Sequence, residues 1–144
     1  MYKQILVPID VNDVHSYEKA LPTAAKLVET FEAKLHVMSV LPDFGMPMVG
    51  HYFPRGFRAK ATAAIGEEME KILDRHLPRG MALDKGVVQG TIYREILRIA
   101  QDLPADLIVM GSHRPALSDY LLGPNAARVV RHAHCSVMVV RGTV

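Results

Sequence analysis

The chain of 144 residues has no tryptophan and one cysteine, Cys135, and its aromatic content is only 6%. A single cysteine excludes an intrachain disulfide framework and fits a reducing cytoplasm. Long apolar runs are also missing: nothing approaches the roughly 18 residues that would cross a bilayer. Ile5 to Ile9 is too short for a secretory core and runs straight into Asp10. A soluble, unprocessed cytoplasmic protein with no membrane partner is the expectation. Lys and Arg exceed Asp and Glu by 17 to 15, far short of the basic excess that a nucleic-acid partner would require. There is no Gly-x-x-x-x-Gly-Lys-Ser/Thr loop, which excludes a P-loop ATPase, and no Ser-His-Asp order stands out. What remains is a composition ordinary for a globular protein, in a length that suits a single domain over residues 1–144 with one core.

The apolar pattern alternates between short runs and helical periods. Lys3 to Asp10 is a continuous apolar run ending in an acid, the pattern of a strand buried on both faces. From Ser16 to Phe31, Tyr17, Ala20, Leu21, Ala24, Leu27, Val28 and Phe31 recur at helical spacing, with Pro22 predicting a kink or a ragged first turn. Lys34 to Leu41 predicts a second strand, stopped by Pro42. Residues 42–57 mix prolines and glycines with Phe44, Tyr52, Phe53 and Phe57 and defeat any period; a loop this long is either a functional cover or ordinary packing. Ala61, Ile65, Met69, Ile72 and Leu73 mark a second helix. Val87 and Val88 give a brief strand before Gly90, and Thr91 is a candidate cap for a helix carrying Ile92, Ile96, Leu97 and Ala100. Ala105 to Gly111 predicts a fourth strand, Pro124 the start of a last helix, and Ser136 to Arg141 a fifth strand. Strands alternating with helices imply a parallel sheet covered on both faces by right-handed crossovers.

Such a sheet binds ligands outside the carboxyl ends of its strands, where the strand order reverses. The ends here are Pro8-Ile9-Asp10, Ser39-Val40-Leu41 and Met110-Gly111-Ser112. Asp10 closes an apolar strand, so its carboxylate faces water or a ligand, or it caps the first helix or the loop that follows. Gly111 and Gly123 bracket the connection after the fourth strand, and Gly123 precedes a helix start. Glycine there allows close approach of a phosphate to backbone N–H groups at a positive helix end, although glycines also serve as plain turn residues.

Ile5-Leu-Val-Pro-Ile-Asp10, Met110-Gly-Ser-His113, Leu121-Leu-Gly123 and Cys135-Ser-Val-Met-Val-Val-Arg141 together resemble the universal stress protein family over essentially the whole chain. The resemblance implies a flavodoxin-like (Rossmann-like) five-stranded parallel sheet of order 3-2-1-4-5. It also implies a homodimer joined through the last strand (Val137, Val139, Arg141) and, in many members, bound ATP. ATP-binding members carry Gly, two residues, Gly, nine residues, then Gly with Ser or Thr. Here the second glycine is replaced by Arg114, the spacer to Gly123 is eight residues, and Pro124 follows. The Ser-His-Arg-Pro version resembles the enterobacterial F and G types, in which nucleotide binding is thought to survive. Arg114 would replace backbone by charge, gripping phosphate oxygens through its guanidinium, although Pro115 restricts where it can project.

By the same resemblance, Pro8, Ile9 and Asp10 border the adenosine, and Val40 meets the adenine. Met110, Gly111, Ser112, His113 and Arg114 run beside ribose and phosphates, and Gly123, Pro124 and Asn125 complete the phosphate end. Pro124 has no N–H, which favours Asn125 as the donor. The ligand would be ATP or AMP, with Mg or Mn held by phosphates beside Asp10. The leading reading is a nucleotide-dependent sensor or interaction module with an unknown protein partner and little or no catalysis, since no base stands ready to aim a water. The alternatives are a dimeric interaction protein of the same fold without nucleotide, and a weak ATPase or self-modifying enzyme using Ser112 or His113. His132, His134 and Cys135 include zinc-ligating types, but four ligands are wanted and no second cluster is near; surface histidines and a packed thiol are the simpler reading.

Overall fold

A computed structural model of the chain describes residues 1–43, 56–112 and 122–142. Five strands and four helices follow in the order β1 (Gln4–Pro8), α1 (Ala20–Phe31), β2 (Lys34–Pro42), α2 (Phe57–His76), β3 (Asp84–Gly90), α3 (Ile92–Asp102), β4 (Leu107–Gly111), α4 (Pro124–His132) and β5 (Ser136–Val140), with a 3-10 turn at Val14–Ser16 between β1 and α1. Every strand pairing is parallel, in the spatial order β3-β2-β1-β4-β5. Ile5 lies opposite both Leu35 of β2 and Leu107 of β4, so β1 is the central strand.

The period of two along the strands sorts the core into two layers. Ile5, Val7 and Ile9, with Leu35, Val37, Leu107 and Val109, face α1 and α2. Leu6, Met38, Ile108 and Met110 face α3 and α4, where Ile96, Ala100, Ala126 and Val129 meet them. This double coverage explains why β1 and β4 are apolar at successive positions: neither face meets water. Each fully buried Ile, Leu or Val contributes about 1.5–3 kcal/mol, so the central strands carry much of the stability.

Several local expectations are corrected. Pro22 produces no kink, because α1 begins at Ala20 and leaves Pro22 in the first turn, where a missing N–H costs no helical bond. The stretch before it is the 3-10 turn rather than helix, held by the Asp13 carboxylate, which accepts from the His15 N–H at 3.1 Å. β3 extends back to Asp84, well before Val87, because seven consecutive registers with β2 override the polar Asp84-Lys-Gly86 start. β4 starts at Leu107 rather than Ala105, since the Asp106 N–H turns to the Gln4 carbonyl. Thr91 occupies the cap position of α3 without a side-chain capping bond. The expected loop over residues 42–57 falls largely on 44–55, outside the described residues; Pro42 belongs to β2 and Phe57 opens α2.

Because β2 and β4 lie on opposite sides of β1, the connections leaving β1 and β4 part from each other, and a crevice opens at the carboxyl ends of the strands.

Candidate functional site

The crevice is a cleft of about 600 Å³. Pro8, Ile9, Asp10, Val40, Met110, Gly111, Ser112, Gly123, Pro124 and Asn125 all border it. His113 and Arg114 lie outside the described residues. Ile65, Ile92, Ile96 and Leu41 supply apolar walls, and polar groups gather at the mouth. Ile9 and Met110 are core residues, 5% and 7% exposed, so they shape the cleft floor from below.

The loop after β1 is built around Ser16. Its hydroxyl accepts from the Asp10 N–H at 2.9 Å and lies 3.0 Å from the Asp10 carbonyl and 2.7 Å from the Asp13 carbonyl, sharing one proton between them. The Asp10 carboxylate accepts from the Asn12 N–H at 2.9 Å through Oδ1. Asp10 therefore caps the loop and not the first helix, whose cap position is Lys19. One oxygen closes an Asx turn, and the exposed side chain otherwise stands at the cleft mouth.

Gly111 has a reason unrelated to ligand. A Cβ there would stand 2.5 Å from the His15 carbonyl oxygen and 3.0 Å from Ser16 Cα. The end of β4 passes so close under the 3-10 turn that only hydrogen fits. Gly123 has an ordinary φ of −59° and needs no left-handed freedom. Its N–H points to the Ser112 carbonyl at 3.3 Å, and the Ser112 N–H donates to the Val140 carbonyl at 3.0 Å, which fixes both ends of the connection between β4 and α4.

At the far wall α4 begins with Pro124 and no side-chain cap, and α3 also begins uncapped. The first N–H groups of a helix have no intrahelical partner, so among the described residues nothing engages the Asn125 and Ala126 amides at the cleft edge. The helix dipole places partial positive charge there.

Ser39 was named only as part of a strand end and was not carried into the site. It is 3% exposed and borders the cleft, yet its hydroxyl has no protein partner among the described residues. A serine at a position in register with the inward-facing Leu35 and Val37 was the available signal. Asn12, Asp13 and Ser16 were likewise missed, and nothing in the period marked them.

No group of three or more His, Cys, Asp or Glu suited to a metal occurs among the described residues. His132 and His134 are exposed, and Cys135 is half-buried. Burial, with the nearby charge of Asp106, pushes the Cys135 thiol up.

With the sheet order and the cleft established, the sequence was compared with known proteins. The Universal stress protein family matches residues 1–141. The chain belongs to the universal stress protein family. Universal stress protein G of Shigella flexneri is 30% identical over 143 residues, which covers 98% of this chain and 100% of the relative. The solved structure of hypothetical protein MJ0577, a protein of Methanocaldococcus jannaschii, aligns at a TM-score of 0.76 with 27% identity, over 100% of this chain and 99% of its own. Two more distant structures share the fold. One is a universal stress protein in complex with cAMP, at a TM-score of 0.66, 23% identity and coverage of 99% and 98%. The other is a family protein from Arabidopsis thaliana with AMP bound, at 0.65, 16% and coverage of 99% and 93%. Among the described residues of this universal stress protein no helix is long and apolar enough to cross a membrane.

Proposed function

We propose that this universal stress protein binds an adenine nucleotide, ATP or AMP, in the cleft and acts as a nucleotide-dependent sensor or interaction module rather than as an enzyme. The observation that carries this reading is the cleft itself: apolar walls wide enough for a base lead to the uncapped amino end of α4. An anion placed there would meet unpaired N–H groups and the positive end of the helix. The Ser39 hydroxyl, without a protein partner among the described residues, supports a polar ligand in the floor. That relatives of the same fold carry cAMP and AMP supports the adenine.

In this reading Pro8, Ile9 and Val40 flank the adenosine, and Asp10 faces the ribose side. Gly111, Ser112 and Asn125 run along the phosphates, with Pro124 setting the direction of the helix start. Mg or Mn fits this site only in company with phosphate, because Asp10 and Asp13 each offer one carboxylate oxygen not engaged by another described residue and no metal cluster occurs among the described residues. β5 is an outer strand paired on one side only, which supports a homodimer through Val137, Val139 and Arg141.

The test is to purify the protein without added nucleotide, denature it, and identify what is released by mass spectrometry. An adenine nucleotide in near-equal amount to the chain is expected. A protein that is empty and takes up neither ATP nor AMP on titration calorimetry would leave only the fold as an interaction module.

A further inference from the structure

The cleft is polar at one end and apolar at the other. Asp10 and Asn12 on the loop after β1, with Ser112 and Asn125 beyond β4, bring polar side chains to its rim. On the β2 side the lining turns apolar, with Leu41, Ile65 of α2 and Ile92 of α3. Ser39 is the exception at this end. Among the described residues it alone is both polar and buried, at 3% exposed, and it nevertheless borders the cleft.

Its place on the sheet explains both properties. Met38 lies opposite Pro8, the last residue of β1, so Ser39 stands where the central strand ends and the cleft floor begins. Strand β1 separates β2 from β4, and two inter-strand spacings amount to about 10 Å. A nucleoside whose phosphate side lies toward Ser112 and α4 therefore reaches β2 with its base.

The fold has no use for an oxygen here. The inward positions before it on β2, Leu35 and Val37, are apolar and packed in the same layer. A hydroxyl taken out of water without a partner is unfavourable, and that of Ser39 has no protein partner among the described residues. Its chemistry indicates what it can offer. A serine hydroxyl donates one proton as well as accepting. Strand ends supply carbonyl acceptors in plenty, whereas donors are scarce in an apolar lining. The group that Ser39 adds to this end of the cleft is a donor, and the ring nitrogens of a purine are acceptors.

We propose that Ser39 is a specificity-determining residue for the base: its hydroxyl donates to a ring nitrogen of a purine laid along the apolar wall. This rests on the nucleotide reading and deepens it. A pyrimidine on the same ribose is one ring shorter and leaves the hydroxyl unpaired, so the cleft prefers purine nucleosides. Selection of this kind comes from the polar group that the wrong ligand leaves without a partner.

The experiment is titration calorimetry of the wild type and Ser39→Ala with adenosine, its 1-, 3- and 7-deaza analogues and cytidine, with thermal melts to confirm folding. A neutral hydrogen bond is worth about fivefold to tenfold in affinity. One deaza analogue should bind the wild type weaker than adenosine by about that factor, and that analogue should bind Ser39→Ala as well as adenosine does. The preference for adenosine over cytidine should shrink in step. Ser39→Cys, a weaker donor, should show the same pattern and replaces alanine if that variant fails to fold. A deaza penalty that persists in Ser39→Ala assigns the nitrogen to another donor and overturns the proposal. Equal weakening of adenosine and all three analogues by Ser39→Ala, or no weakening at all, also overturns it while the nucleotide reading stands. If neither adenosine nor ATP binds the wild type, the nucleotide reading fails and the proposal falls with it.

Discussion

Replacing Gly111 with alanine should destabilise the protein through a contact that involves no ligand. The new Cβ would fall 2.5 Å from the His15 carbonyl oxygen, about 0.9 Å short of the 3.4 Å at which ordinary contact begins. Its next neighbours, Ser16 Cα and the Ser16 carbonyl oxygen, are each 3.0 Å away. All three are backbone atoms, so no side chain can swing aside. Either the end of β4 or the 3-10 turn has to move, and the turn is tied to Asp10 and Asp13 through the Ser16 hydroxyl. Overpacking of this kind costs about 1–3 kcal/mol. For a chain of this length each kcal/mol lowers Tm by about 3 °C, which gives a fall of about 3–10 °C. The assay is thermal and urea unfolding of the ligand-free protein, with Gly66→Ala as the control. Gly66 lies within α2, where an added Cβ meets nothing within 4 Å, and alanine there should stabilise by up to about 1 kcal/mol. A Gly111→Ala protein that melts with the wild type would refute the reasoning and return Gly111 to a purely ligand-related role.

Ser39→Ala should leave stability nearly unchanged, since the hydroxyl has no protein partner among the described residues, but weaken nucleotide by about fivefold to tenfold; a large loss of Tm with unchanged binding would show that the hydroxyl serves the fold. Arg114→Ala should weaken ATP far more than adenosine in titration calorimetry, and equal losses for both would remove Arg114 from the phosphate site. His36 makes stability depend on pH. Burial depresses its imidazole below the ordinary 6.5, partly opposed by Asp84, and its Nδ1 has no hydrogen-bond partner among the described residues. Its folded pKa lies below its unfolded value, so the unfolded chain binds more protons. The neutral ring's contribution is complete above about 6.5 and is lost as pH falls through the folded value. Urea unfolding between pH 7.5 and 5 should show stability falling with acid, and His36→Leu should flatten that segment; an unchanged slope in the variant would assign the dependence elsewhere.

The fold was legible because its core residues obey the pleat. Ile5 to Ile9 reads as one apolar run because two helical layers cover β1, and the helices announce themselves where one stripe meets that sheet, as with Ile96 and Ala100. Element ends were less legible. Asp84-Lys-Gly86 carries no strand signal, and only pairing with β2 makes it one. Asp10, Val40 and Gly111 could be anticipated from the strand-end rule, Asn125 only through the family resemblance, and all four border one cleft. The reason for Gly111 was hidden, because the close approach of β4 to the turn before α1 joins segments about a hundred residues apart. Ser16 was read as the start of a helix, and its three hydrogen bonds within one loop have no periodic signature.

Equilibrium dialysis of the ligand-free universal stress protein against labelled ATP, with GTP and adenosine as competitors, tests the central claim most directly. The account predicts saturable uptake of one ATP per chain, displaced by adenosine and resistant to GTP. No retention of ATP at millimolar concentration, or displacement by GTP as readily as by unlabelled ATP, would contradict it.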